Sequence, residues 1–171
     1  DGGGICCWTS NPSMENVTIS GNSSSSGGGV HCSVNSRPSL ENVTISGNVA
    51  FENGGGIYCS DYSIPILENV TISGNTATDG GGIICNSSNP TLTNVTISGN
   101  IASVNGGGIN CNNSDPTLIN VTISGNTAAS DGSGIYSISS PSLVNCILWN
   151  DSSQENDIIF GSVTATYSDI Q

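Results

Sequence analysis

Seven cysteines, one histidine, one arginine and thirteen acidic residues are the groups in this 171-residue chain that could do acid–base, nucleophilic or metal chemistry. Glycoside hydrolysis needs two carboxylates that converge on one bond. Glu15, Glu41 and Glu68 recur at one position of a repeated phrase, but that position becomes Thr93, Ile119 and Val144 further on. A column of like charge is expected to be a solvated face rather than an acid–base pair. Polysaccharide lyases abstract a proton with a basic residue; this chain has no Lys, and its single Arg37 precedes Pro38 in a turn, where a structural role is expected. Asp79 and Asp131 precede glycine clusters, yet no loop gathers the six or more oxygens that calcium takes. The Gly triplets are followed by neither a helix nor a Lys, so they are not expected to cradle phosphate. No catalytic residue, metal site or cofactor is assigned, and the sequence is read as that of a non-enzyme.

The cysteines invite a disulfide or zinc reading. Five of them, Cys7, Cys32, Cys59, Cys85 and Cys111, share one position of the repeat, and the total is odd. If that position stacks in neighbouring parallel strands, the Cβ atoms lie near the strand spacing of about 4.8 Å, wider than the roughly 3.8 Å of a relaxed disulfide. A ladder of buried free thiols is expected. No His joins the set, so zinc is not expected. Cys6 falls on the opposite parity and is the one candidate for a linkage outside the core.

The elements that place these groups follow from two phrases. Pro38-Ser39-Leu40-Glu41-Asn42-Val43-Thr44-Ile45-Ser46-Gly47-Asn48 returns as Pro12 to Asn22, Pro65 to Asn75, Pro90 to Asn100 and Pro116 to Asn126, and altered as Pro141 to Asn150, at intervals of 25 to 27 residues. Such a period marks stacked units that bury their apolar faces only against one another. Val43 and Ile45, like Val70 and Ile72, alternate with polar residues and are β-branched, which predicts a short strand with one buried face. Leu40 stands three residues before Val43, so the chain must bend near Glu41-Asn42. The second phrase is a glycine triplet leading into an apolar residue and usually a cysteine, as in Gly27 to Cys32 and Gly80 to Cys85; it predicts a second strand with Cys6, His31, Tyr58, Ile84, Asn110 and Tyr136 outward. The expected fold is all-β, a right-handed parallel β-helix of about seven coils and roughly three faces. It occupies residues 1–171 as one domain, with a degenerate last coil over about 151–171.

Asn recurs twice in each coil. The inward or corner set, Asn22, Asn48, Asn75, Asn100 and Asn126, extended to Asn150, is expected to form a hydrogen-bonded ladder. The other set, Asn16, Asn42, Asn69, Asn94 and Asn120, opens Asn-Val-Thr, an N-glycosylation acceptor in a host with the machinery, though a second ladder is favoured there. Thr18, Thr44, Thr71, Thr96 and Thr122 form an outward column that could meet sugars or ordered water such as ice. In the last phrase Ile147 and Trp149 replace Thr and Ser, which predicts a cover, either the chain's own tail or a neighbouring molecule.

The pairing of Ile72-Ser73-Gly74-Asn75 with Gly80-Gly81-Gly82-Ile83 resembles the repeats of secreted right-handed parallel β-helix proteins, and is similar to those of polymorphic outer-membrane adhesins. The likeness covers nearly the whole chain. It implies an extracellular or cell-surface structural or adhesive role.

A net charge of −12 repels nucleic acid and anionic lipid alike, and no apolar run reaches the ~20 residues of a membrane span. The chain does not open on Met, as expected of a processed or excised piece, and Asp1-Gly2-Gly3-Gly4 enters a strand phrase directly. End-to-end self-association into a filament is therefore expected. A carbohydrate-binding or carbohydrate-active β-helix and an ice-binding surface are the alternatives.

Overall fold

The computed structural model describes residues 2–153 and 157–171 and contains only strands, turns and bends. Every strand pairing is parallel, and each strand pairs with its counterpart one repeat away. The first sheet stacks Ile5–Trp8, Val30–Ser33, Ile57–Cys59, Ile83–Asn86, Ile109–Asn112, Ile135–Ser137 and Ile159–Gly161. A second seven-stranded sheet runs from Ser13–Glu15 to Thr164–Thr166, and a third from Thr18–Ser20 to Asp169–Ile170. The chain is a parallel β-solenoid of about six turns, fewer than the seven expected, because the seventh strand of each long sheet begins a circuit that is not closed among the described residues. Ile159–Gly161, Thr164–Thr166 and Asp169–Ile170 take the places of the two phrases in that last circuit.

The first five circuits have a fourth side as well as the three expected. Ser23–Ser26, Val49–Asn53, Thr76–Ala77, Ile101–Ala102 and Thr127–Ala128 form a five-stranded sheet between the two phrases. Four of these segments share only an alanine two residues after the inner asparagine, turned inward: Ala50, Ala77, Ala102 and Ala128 are all buried. A strand of two residues leaves too short a pattern to read by periodicity.

The core is built from columns. Leu40, Val43, Ile45, Val70 and Ile72 are all at most 1 % exposed, and Cys7, Cys32, Cys59, Cys85 and Cys111 line the adjoining wall. Burying each such leucine or isoleucine is worth about 1.5–3 kcal/mol. The bend between Leu40 and Val43 is made at Asn42, whose φ is 53°; Asn16, Asn69, Asn94, Asn120 and Asn145 adopt the same left-handed corner. Asn enters that region more readily than other side chains because its short amide bonds locally.

The outward position of the first sheet departs from expectation. His31, Ile84 and Asn110 are buried, and Tyr58 and Tyr136 are half-buried; of the set only Cys6 is exposed. The cause is the first glycine of each triplet, which turns back over the residue four places on. A Cβ on Gly80 would stand 2.7 Å from Cβ of Ile84, and one on Gly106 2.6 Å from Cβ of Asn110. Strand parity fixes which way a side chain leaves the sheet, not what the following turn lays over it.

Candidate functional site

The third sheet carries the most regular surface. Thr18, Thr44, Thr71, Thr96 and Thr122 pair in register, as do Ser20, Ser46, Ser73, Ser98 and Ser124 two residues on. All ten are partly or fully exposed, while the isoleucines between them are buried. Neighbouring strands lie about 4.8 Å apart and alternate residues about 6.7 Å apart along a strand, so the hydroxyls form a near-rectangular lattice. Each hydroxyl can both donate and accept. The lattice can therefore match a partner that repeats its own hydroxyls or waters, but it contains no base to activate a nucleophile.

Beside it runs the outer asparagine column. Nδ2 of Asn94 donates to Oδ1 of Asn69 at 3.2 Å, Asn120 to Asn94 at 3.0 Å, and Asn145 to Asn120 at 2.8 Å. Asn16 instead donates to Glu15 at 3.2 Å. Asn16, Asn42, Asn69, Asn94 and Asn120 are exposed, so the Asn-Val-Thr acceptors lie on the surface as well as in the ladder. On the second sheet Glu15, Glu41 and Glu68 are in register and exposed, followed by Thr93, Ile119 and Val144. Carboxylates one rung apart on one face give a repelling column, with no opposed pair.

The inner asparagine column is buried. Asn48, Asn75, Asn100 and Asn126 are fully enclosed and Asn22 is partly so. Asn48 Nδ2 donates to Asn75 Oδ1 at 3.0 Å, and the same Oδ1 accepts the Asn48 main-chain N–H at 2.9 Å. The extension of this column to Asn150 is corrected by the structure. Asn150, with φ 55°, takes the left-handed corner that Gly125 fills one circuit earlier, and Asp151 supplies the ladder oxygen. The last phrase keeps its full length through Asp151, with Asn150 in place of the glycine and Asp151 in place of the closing asparagine of the others.

All seven cysteines are free, six of them buried and Cys6 exposed. The contact with the Cys32 thiol, and then burial, raises the Cys7 thiol far above its ordinary range; the contact with Cys111, and then burial, does the same for Cys85. These thiols pack as small apolar groups and are not thiolate nucleophiles. Among the described residues no three His, Cys, Asp or Glu side chains are grouped to hold a metal ion. His31 stacks on Tyr58 with ring centroids 4.8 Å apart, and burial lowers its pKa. Its ring therefore favours the neutral form.

Ile147 and Trp149 lie in register with Thr122 and Ser124 on the hydroxyl face and are 50 % and 54 % exposed. The described tail does not cover them: Asp169–Ile170 pairs beside that strand in the plane of the sheet. No helix among the described residues is long and apolar enough to cross a membrane.

A family model described as "Right handed beta helix region" matches residues 3–168. No curated protein and no solved structure matches the chain.

Proposed function

The chain belongs to the right-handed β-helix family, and from that premise we propose that it is a non-catalytic extracellular β-solenoid with a structural or adhesive role, meeting its partner through the Thr and Ser lattice of the third sheet. The observation that carries this reading is the register of that lattice: five circuits present the same two hydroxyl side chains at one spacing. A repeating surface suits a repeating partner, such as a polysaccharide or the wall of a cell, better than a single small substrate. The exposed carboxylates support it by forming a column rather than a facing pair. A polysaccharide pull-down with Thr71→Trp and Thr96→Trp as controls tests the proposal. Retention that both variants abolish supports it, and new chain ends after incubation with the sugar would replace it with an enzyme.

Self-association belongs to the same reading. Ile147 and Trp149 put apolar area on an otherwise polar face, which favours a contact between copies there. Electron micrographs and sedimentation of the wild type against the Ile147→Thr, Trp149→Ser double variant test it; a wild type that stays monomeric at high concentration overturns it. The Asn-Val-Thr corners are part of the proposed extracellular setting, and mass measurement of the native material reads whether they carry glycans.

A further inference from the structure

The inner asparagine column has a direction. From Asn48 onward each Oδ1 accepts two N–H groups from the asparagine one circuit earlier, and each Nδ2 also donates to an isoleucine carbonyl of that earlier circuit. Asn100 Nδ2 reaches Ile72 O at 3.0 Å, and Asn126 Nδ2 reaches Ile97 O at 3.1 Å. On the next rung stands Asp151. Its Oδ1 behaves as an asparagine oxygen does, accepting the Asn126 main-chain N–H at 2.7 Å and Nδ2–H at 2.8 Å.

Its other oxygen stands where every other rung has a nitrogen. A Cβ built on Gly134 would lie 3.1 Å from Asp151 Oδ2, just as one on Gly108 would lie 3.3 Å from Asn126 Nδ2 and one on Gly82 3.2 Å from Asn100 Nδ2. Oδ2 is buried and has no hydrogen-bond partner among the described residues. The carbonyl that continues the series is that of Ile123, the in-register successor of Ile97. A carbonyl cannot donate, so an ionised Oδ2 would face an acceptor with an acceptor.

We propose that Asp151 is held as the neutral acid, with its Oδ2–H donated to the Ile123 carbonyl, so that one proton substitutes for an asparagine amide and clasps the sixth circuit onto the fifth. Loss of that proton opens the clasp. The contacts it secures are the main-chain bonds from Ser152 N to Asn126 O at 2.9 Å and from Ala128 N to Ser152 O at 3.1 Å, which join the end of the fourth side to the body of the solenoid.

The charge around the site agrees. The elements against Asp151 are the Asn126–Ala128 edge, the turn through Gly132 and Gly134, and the Asp157–Ile158 segment. Among the described residues of these elements the titratable groups are Asp131 and Asp157, both acidic. The only Lys or Arg of the chain is Arg37, far down the stack, so no cation favours the ionised form. Burial raises the Asp151 pKa, against the opposing pull of the Asn126 N–H groups. A raised folded-state value means the stabilisation is complete below the unfolded value of about 3.9 and is lost as pH rises through the folded one.

The test is a carbon-detected titration of the Asp151 carboxyl, with amide exchange at Ser152 and Ala128 followed from acid to mildly alkaline pH in the wild type and in Asp151→Asn. The variant keeps the side chain that the five preceding rungs already carry. The expected midpoint lies above those of the other aspartates, and the wild-type unfolding constant rises relative to the variant by up to about tenfold per pH unit between the two pKa values. Wild-type protection at Ser152 and Ala128 falls across the same midpoint, while that of Asp151→Asn does not. An ordinary aspartate midpoint overturns the proposal, as does an identical pH dependence of protection in the two proteins. The carboxyl titration needs only the wild type, so it decides the matter even if the variant folds poorly.

Discussion

Asn75 gives Asn100 Oδ1 two hydrogen bonds, from its main-chain N–H at 3.0 Å and from Nδ2 at 2.9 Å, and keeps its second amide hydrogen for Ile45 O at 3.1 Å. One buried side chain thus joins three circuits. Replacing Asn75 with Leu leaves the two Asn48 donors without their acceptor in a dry interior and takes one of its donors from the Ile45 carbonyl. We expect a loss of about 3–5 kcal/mol in urea unfolding, since each orphaned buried polar group costs about 1–3 kcal/mol. Asn22→Leu, at a partly exposed rung, should cost clearly less; equal losses would show that the column carries no special share of the stability.

Two glycines of the repeat should respond in opposite ways. At Gly56 a Cβ would come 2.6 Å from the Gly82 carbonyl oxygen, a backbone atom that cannot swing away. Gly47, with φ 62°, has nothing within 4 Å of such a Cβ. Gly56→Ala should therefore lower the thermal midpoint sharply, whereas Gly47→Asn, which copies what Asn150 does at the same corner, should cost under about 1 kcal/mol. Calorimetry of the two variants side by side checks the contrast.

A thiol reagent separates the cysteines by burial. Cys6 should react at once in the folded protein, the other six only as the chain unfolds, and all seven in denaturant. Raising the pH to about 9 should not release the inner thiols, because the contact with Cys32 and burial at Cys7, and the contact with Cys111 and burial at Cys85, keep them protonated there. Fast reaction of three or more thiols in native conditions would contradict the buried ladder.

The stacked carboxylates Glu15, Glu41 and Glu68 repel one another across adjacent strands. Glu41→Gln, at the middle of the three, should raise the unfolding midpoint at low ionic strength, and the gain should shrink in about 1 M salt, where the screening length falls to about 3 Å. A salt-independent gain would point to packing rather than charge.

Much of this molecule was legible in its sequence because the repeat is close to one strand circuit long. When a phrase returns at that interval, like side chains must stack, and the buried positions of Leu40, Val43, Ile45 and the cysteines follow from parity and from the three-residue step before Val43. The asparagine ladders were legible for the same reason. Residues brought together by closure of the circuit were not. The fourth side is too short to show a period, and the burial of His31, Ile84 and Asn110 depends on a glycine turn folding back across them. The identity of the last rung hinges on two substitutions at the end of the phrase, Asn150 at the glycine corner and Asp151 at the inward asparagine place, so that matching the phrase by its closing Asn picks the wrong residue. Sequence alone determined the stacking, because repetition fixes what lies above what; the tertiary structure decided what covers each column and what ends it, because those depend on how the backbone turns between the repeats.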